Sequence, residues 1–589
     1  MTPARLAIVV FVSLAVAFAV DAVVRYIALR RGAVVPPRPD RWHRTPTPTF
    51  GGIGVMAGLI AGCAVGGALG REVWPVLAAG AALFGIGWYD DHAPLSALAK
   101  MVNSLAVAAF FVISLSGFST TPVHAGLIVL AVVWFGGLDN AVNLLDNMDG
   151  LAAGVSVLAA LGLAATFHAE LGPGLVTVLI ALAGGLLGFL GWNRHPAKLF
   201  MGNCGSLAIG GILAACATVA IARAGTGVAA AAAALILVVP IFDSTFVVLL
   251  RRLAGRSTTR GNIDHTSHRL VSAGFSEPAA VVMLCALGAA GATTGYVLHN
   301  GGLSLWPLAA GFSVAVLMMG LYLVRVPAYA GQDFQALQNA PLAPLLSDLT
   351  FRWHAGEVLL DLGLITTCYY AAYRIRFQEP ELTVFLRSFS ASLPAILGCQ
   401  LAALYVSGLY SRIWSTFGLH DLSTVIRAVG SGLVLSVLAV TYLYRFDERF
   451  SRSVFLIDAG LLVAAIIATR MSFRVFGRIA ARTGTHKRRV AIYGAGSRGQ
   501  MLVREMLADS AWDLNPVAFV DDDPGKRMLR MMGVPVRGTL EDLDKMIPKF
   551  ELEELLISSR TIDAAREARA RDICGAHGIP VRRLFFDIT

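Results

Sequence analysis

Charge is scarce in this sequence. Of its 589 residues only 15% are Asp, Glu, Lys or Arg, against about 25% in an ordinary soluble domain. With 56% of residues hydrophobic, that scarcity excludes a wholly water-soluble chain. Cysteine is sparse as well. The seven present show no metal-ligand spacing, and Cys63, Cys216, Cys285, Cys368 and Cys399 fall inside apolar runs. A disulfide framework and a zinc site are therefore not expected. The formal net charge of +10 does not argue for nucleic acid. The arginines gather in short loops between apolar runs, as in the cytoplasmic loops of membrane proteins. The first apolar run, roughly residues 5–29, lacks a small-residue cleavage site and is too long for a signal-peptide core, so it reads as a membrane helix.

Apolar runs of about 20 residues, the length that crosses a bilayer, recur along the chain. Eleven are expected before Val324, at roughly 5–29, 50–69, 73–89, 101–118, 124–142, 151–168, 174–191, 205–222, 228–250, 279–297 and 304–324. Four more follow at roughly 357–376, 388–409, 425–443 and 454–472. The expected fold is a polytopic α-helical membrane protein of about 15 transmembrane helices with a C-terminal α/β Rossmann-like domain. The expected domains are 1–325, a linker at 326–355, a four-helix membrane domain at 356–474 and a nucleotide-binding domain at 485–589. Arg30, Arg31, Arg38, Arg41 and Arg44 follow span 1, and Arg251, Arg252, Arg256, Arg260 and Arg269 follow span 9. Counted by spans, both loops share a face, which the positive-inside rule makes cytoplasmic. The C-terminal domain falls on the same side. Arg374 and Arg376 fall outside, against the rule.

Five polar segments interrupt the first eleven spans, all on that face. They are His43–Gly52, Asp90-Asp91 followed by Lys100, Asn140–Gly150, Pro196–Ser206, and Asp264–Arg269. Carboxylates at membrane-helix ends are costly and usually functional. Adjacent ones repel unless a cation or proton lies between them. Asp90, Asp91, Asp146 and Asp149 offer hard oxygens suited to Mg²⁺ or Mn²⁺, and such an ion neutralises charge as a phosphoryl group moves. Arg, Lys and His supply donors to phosphate oxygens. Asn140 and Asn143, three apart, share one face if their segment is helical. Taken singly, an Asp-Asp pair is more often a solvated cap, a His-x-x-His a plain loop, and Gly-Asn-Cys-Gly-Ser a turn. In order and on one face, they describe a site for an anionic substrate and a metal.

This ordered set makes residues 1 to about 325 resemble the polyprenyl-phosphate N-acetylhexosamine-1-phosphate transferases that begin bacterial O-antigen, teichoic acid and peptidoglycan lipid intermediates. The resemblance implies a UDP-sugar and polyprenyl (undecaprenyl) phosphate as partners in the bilayer of the bacterial inner membrane. It also implies Mg²⁺ as cofactor and UMP as product. It assigns Asp90 and Asp91 to lipid-phosphate activation and metal binding. Asn143, Asp146 and Asp149 go to the nucleotide sugar, Phe200 to stacking near the uracil, and His265 and His268 to the diphosphate. Arg44, Lys100, Asn140 and Arg269 complete the expected substrate contacts. Two departures stand out: Asn203 replaces the usual metal-binding Asp, and Ser267 replaces the common middle His. The alternative is a degenerate transferase acting as a scaffold or nucleotide-sugar sensor. A transporter is disfavoured, since its charges would lie towards the bilayer midplane. The sequence admits a homodimer without requiring one.

In the second half, "FRWHAGEVLLDLGLITTCYYAAYRIRF" at 351–377 and the following spans resemble the membrane portion of nucleotide-sugar 4,6-dehydratases and of polyprenyl sugar-phosphate transferases carrying a nucleotide-binding module. The strand-like Val490–Tyr493 runs into Gly494-Ala495-Gly496-Ser497-Arg498-Gly499, then a helical pattern, and a second strand ends at Asp521. Gly494, Gly496 and Gly499 suit the close approach of a diphosphate to a helix N-terminus, with Asp521 at the distance of a ribose-binding acid. The expected ligand is NAD or a UDP-sugar, the alternative a domain that has lost its ligand. A dehydrogenase-like catalytic domain does not follow, so dehydratase activity is not expected.

Overall fold

The computed structural model describes residues 2–36, 46–116, 122–253, 264–301, 305–324, 355–378, 381–411, 419–445, 450–483, 488–508, 514–527, 529–532, 534–558 and 562–584. Two compact units divide the chain, Met1–Arg474 and Val475–Thr589.

A helix stands at each of the fifteen expected apolar runs. Among the described residues, ten helices are long and apolar enough to cross a membrane, or eleven if one bent pair counts as a single span. The chain is thus a multi-pass α-helical membrane protein. The first group runs α1 (Pro3–Arg31), α2 (Gly52–Val65), α3 (Trp74–His92), α4 (Ala97–Ser116), α5 (Pro122–Leu145), α6 (Leu151–Thr166) and α7 (His168–Asn193). It continues with α8 (Gly202–Ala224), α9 (Gly227–Ile236), α10 (Val238–Leu253), α11 (Thr266–Ser272), α12 (Glu277–Gly301) and α13 (Trp306–Val324). The helices α2 and α6, at 14 and 16 residues, are shorter than a full crossing requires. The expected single span at 228–250 is broken: α9 and α10 meet at 80°. Pro240, in the first turn of α10, has no N–H to return to the preceding helix, which favours the break.

Helix α8 is the hub, buried along nearly its whole length among α2, α3, α5 and α7. Its Gly and Ala content permits backbone-to-backbone approach, as is usual where lipid supplies no hydrophobic drive. A Cβ on Gly210 would lie 2.8 Å from the Asp139 carbonyl oxygen of α5.

The second group comprises α14 (Ala355–Arg376), α15 (Glu381–Val406), α16 (Leu419–Tyr444) and α17 (Arg452–Thr483). Tyr369, Tyr373, Phe389 and Phe455 pack at its centre. Arg470 of α17 donates from Nη1 and Nη2 to the two oxygens of Asp361 in α14, at 2.9 and 2.8 Å. Both side chains are buried, so this bidentate pair joins the first and last helices of the group.

The C-terminal unit is a mainly parallel sheet with helices α18 (Ser497–Ala508), α19 (Leu543–Phe550) and α20 (Ala564–Ala576). Its strands are β1 (Arg488–Tyr493), β2 (Leu514–Val520), β3 (Arg530–Met531), β4 (Val534–Gly538), β5 (Glu554–Ile557) and β6 (Val581–Arg583). Their spatial order is β3-β4-β2-β1-β5-β6, parallel except for the β3–β4 pair. The all-buried β1 and β5 cores match continuous apolar runs covered on both faces.

Candidate functional site

Two glycines build the site by letting neighbouring helices crowd the start of α8. A Cβ on Gly87 of α3 would lie 2.3 Å from the Asn203 carbonyl oxygen, and one on Gly52 of α2 would lie 2.3 Å from Gly205 Cα. The segment before α2 is stitched to the segment before α8. Phe200 N donates to the Pro48 carbonyl at 2.8 Å, and Gly51 N and Gly52 N donate to the Phe200 and Met201 carbonyls at 2.9 Å. Phe50 adopts φ 81°, a strained setting for a bulky residue, and its ring packs on Trp88 and His92.

Asp91, at the end of α3, caps α8 from another helix. Its two oxygens accept from Asn203 N at 2.9 Å and Cys204 N at 3.0 Å. That satisfies two N–H groups otherwise orphaned at a helix start and puts a negative charge at the positive end of the dipole. Asn143 of α5 closes the cluster, donating from Nδ2 to Asn203 Oδ1 at 3.1 Å and Ser206 Oγ at 2.7 Å. Asp90 is buried, accepts from Leu95 N at 2.7 Å and pairs with Lys100 Nζ at 2.5 Å. Lys100 keeps 24% of its side chain exposed, whereas that of Asp90 is buried.

The acidic segment after α5 reaches other elements too. Asp149 accepts from Ala197 N at 2.9 Å and meets His195 Nδ1 at 3.2 Å. Asn147 Oδ1 accepts from Ser267 Oγ at 2.7 Å, and Ser267 Oγ lies 3.2 Å from His268 Nδ1. Ser267 therefore ties the acidic segment to α11. Burial, and then the neighbouring His265, push the His268 imidazole down to about 4, so it is neutral near pH 7. His265 Nδ1 lies 2.8 Å from Asp243 Oδ2, with its ring centroid 5.9 Å from that of His268. Asp264 pairs with Arg251 at 3.0 Å.

Of the expected residues, Asp91, Asn143 and Asn203 thus meet at the start of α8, Asp90 and Lys100 pair with each other, and His268 is joined through Ser267 to Asn147 with His265 beside it. Asp146, half-buried, lies in the segment between Asn143 and Asn147. Asn140 bonds instead to Gly136 O in its own helix. Arg269 is buried, donates to the Leu323 carbonyl at 3.1 Å and lies over the Phe246 ring. Arg44 lies outside the described residues. Asp243, which faces His265, lies outside the five polar segments of the sequence. The available signal was a lone carboxylate inside an apolar helix, functional by default. Among the described residues no three His, Cys, Asp or Glu side chains converge as a metal cage.

In the C-terminal unit, Gly494 ends β1 at φ 107°, which glycine alone tolerates without strain. A Cβ on Gly499 would lie 2.0 Å from the Gly494 carbonyl oxygen, whereas one on Gly496 would meet nothing within 4 Å. Asp521 braces this turn: it accepts from Ala495 N at 2.7 Å and Asp523 N at 2.9 Å, and pairs with Lys526 at 3.1 Å. Burial opposes its charge, but these donors outweigh burial and hold the carboxyl below its usual range.

Comparison with known proteins covers both halves. The model for glycosyl transferase family 4 matches residues 73–221, and that for a CoA-binding domain matches residues 406–558. The "Probable undecaprenyl-phosphate N-acetylglucosaminyl 1-phosphate transferase" of Bacillus subtilis is 32% identical over 297 residues, 48% of this chain and 82% of that protein. The "Decaprenyl-phosphate N-acetylglucosaminephosphotransferase" of Mycobacterium tuberculosis is 32% identical over 302 residues, 44% of this chain and 74% of that protein. The "Capsular polysaccharide biosynthesis protein CapD" of Staphylococcus aureus is 27% identical over 233 residues, 38% of each chain. With a crowded α8 start, an acidic pair beside it and two transferases at 32% identity matched over 82% and 74% of their length, the chain belongs to glycosyl transferase family 4, among the polyprenyl-phosphate N-acetylhexosamine-1-phosphate transferases.

Proposed function

We propose that this chain transfers an N-acetylhexosamine-1-phosphate from a UDP-sugar to polyprenyl (undecaprenyl) phosphate, releasing UMP, as the initiating step of cell-surface glycan synthesis. The carrying observation is the meeting of Asp91, Asn143, Asn203 and Ser206 at the start of α8, beside the Asp90–Lys100 pair. A phosphate oxygen of the lipid would attack the sugar-linked phosphorus of the UDP-sugar, and UMP would leave. Lys100 supplies a cation for the lipid phosphate, and Asp90 holds Lys100 in place. His265 and His268 would face the diphosphate, with the 143–149 segment on the nucleotide sugar.

The donor set fits Mg²⁺ or Mn²⁺ held by one or two protein oxygens with water and substrate phosphates completing the shell, the usual Mg²⁺ habit. Asp91 and Asn203 would hold it, with Asp90 adjacent. When bound, the ion offsets the charge that builds up on the moving phosphoryl group. In this reading the site faces the cytoplasm and lies within residues 1–325. The C-terminal unit is proposed to be a cytoplasmic, Rossmann-like module for NAD or a UDP-sugar. What supports this reading is that the strand order reverses between β1 and β5, the kind of point where open α/β sheets bind ligands, and that a Cβ on Gly496 would meet nothing within 4 Å. Calorimetry on a fragment of residues 485–589 tests this, and no binding of either ligand at millimolar concentration would refute it.

The direct test is a panel of radiolabelled UDP-sugars given to membranes containing the protein, Mg²⁺ and polyprenyl phosphate. Label should enter the lipid extract with at least one N-acetylhexosamine donor. One observation favours a second reading: Asn203 is neutral and already bonded to Asn143, as a scaffold or nucleotide-sugar sensor could retain. That reading predicts UDP-sugar binding with no lipid-linked label at any metal concentration.

A further inference from the structure

Asp243 lies in α10, in a stretch whose neighbours are Pro240, Ile241, Phe242 and Phe246. Its side chain is wholly buried, yet each oxygen is used. Oδ1 accepts from Thr266 N at 2.8 Å and Thr266 Oγ1 at 2.7 Å, and Oδ2 faces His265 Nδ1 at 2.8 Å. A carboxylate in an apolar helix is expensive and persists where it serves a site. A carboxylate oxygen is acceptor only, so Nδ1 of His265 must carry the proton. The ring nitrogen left for a ligand is Nε2, in a fixed orientation.

We propose that Asp243 is a positioning residue for sugar-phosphate transfer, acting through His265 by fixing its tautomer and ring orientation. The inference rests on the transferase reading above. It separates the two histidines. His265 is held by a carboxylate, whereas His268 is approached by a hydroxyl, Ser267 Oγ, and the 5.9 Å between their rings lets both face one diphosphate. It also explains what Asp243→Asn would do. The amide oxygen would stay with the two Thr266 donors, turning its NH₂ towards His265. Nδ1 would then have to accept, and the proton would move to Nε2, the wrong tautomer for the site.

The test measures UMP release by the full-length protein in membranes, for wild type, Asp243→Asn, Asp243→Glu, His265→Ala and the double variant Asp243→Asn/His265→Ala. Asp243→Asn should lower kcat about a hundredfold or more, the scale of general acid–base or tautomer losses, with little change in KM for the UDP-sugar. Asp243→Glu should restore part of the rate. The double variant should be no slower than His265→Ala alone, because residues acting as a unit are not additive. Thr266→Val removes one bond to Asp243 without touching His265 and should keep most activity. Losses that multiply in the double variant, full activity in Asp243→Asn, or a Thr266→Val loss as deep as that of Asp243→Asn would each overturn the proposal. So would an Asp243→Asn protein that fails to assemble, since Asp243 would then serve the fold. An inert wild type would instead bring down the transferase reading, and this proposal with it.

Discussion

Replacing Asn203 by Asp supplies a negative charge where the side chain is neutral, and its effect can be worked from the geometry. The backbone N–H of residue 203 already lies 2.9 Å from Asp91 Oδ1, so a carboxylate on the same residue would stand roughly 5 Å from that of Asp91. Two like charges at that distance repel by about 1 kcal/mol in water and about 3 kcal/mol at an effective dielectric of 20. The Asn143 donor would become charge-assisted and return about 1 kcal/mol. Without metal the variant should therefore be slightly less stable than wild type.

With metal the sign reverses. A dication about 4 Å from the new charge gains about 2 kcal/mol even at the dielectric of water, which is about thirtyfold in affinity. The assay is initial UMP release against Mg²⁺ concentration, paired with thermal unfolding in detergent with and without a chelator. Asn203→Asp should lower the half-saturating Mg²⁺ by about ten- to thirtyfold and should unfold earlier only in chelator. An unchanged half-saturating concentration would show that residue 203 is not a metal ligand in this chain. Restoration of transfer from an inert wild type would favour the scaffold reading.

Asp90→Asn and Asp91→Asn should each cost roughly two or more orders of magnitude in turnover with normal expression; wild-type rates in both would remove this site from consideration. Gly87→Ala puts a Cβ 2.3 Å from the Asn203 carbonyl oxygen, a backbone atom that cannot swing aside. It should sharply reduce UMP release, and a fully active variant would show that α3 can retreat without harm. Arg470→Leu leaves the buried Asp361 without its cation and should cost about 3–5 kcal/mol in unfolding free energy, whereas replacing both by apolar residues should cost far less; equal losses would refute the pairing argument. His268, pushed from 6.5 down to about 4, should make the native state lose stability as pH falls from about 6.5 towards 4. The unfolded chain binds that proton first, so His268→Gln should flatten this part of the difference in unfolding midpoint.

Helices were legible because each apolar run has a length and composition that only a helix satisfies in lipid. Less legible was where a run bends: residues 228–250 read as one span, and only the break before Pro240 makes α9 and α10 cross at 80°. The ordered polar segments announced a site, but their partners in space were hidden. Nothing local says that Asp91 caps a helix beginning 111 residues later, because the Gly87 and Gly52 contacts that bring α3 and α2 to α8 are tertiary. Asp243 was overlooked because its neighbours are so apolar that the segment reads as plain membrane helix. Asp521 was legible as an acid after a strand, but its engagement with Ala495 N and Lys526 depends on the turn between Asp521 and Lys526, which carries no such signal.

The two departures from the family pattern differ in kind, and the hydrogen bonds show how. Asn143 spends both amide protons, one on Asn203 Oδ1 and one on Ser206 Oγ. An Asp at 203 could accept the first of these equally well, so Asn preserves the shape of the cluster and removes only charge. Its consequence must then be electrostatic, read in metal demand and in salt dependence, with the fold unchanged. Ser267 is the opposite case. Its hydroxyl donates to Asn147 and meets His268 Nδ1, so it adds a short link between the acidic segment and α11. A bulkier imidazole would have to fill that place differently. Ser267→Ala should therefore loosen the placement of His268 and lower kcat without moving the half-saturating Mg²⁺, while Asn203→Asp should move the metal dependence and leave the histidines in place. Measuring both parameters for both variants separates the contributions. A Ser267→Ala variant whose metal dependence shifts as far as that of Asn203→Asp would mean that the two positions act as one.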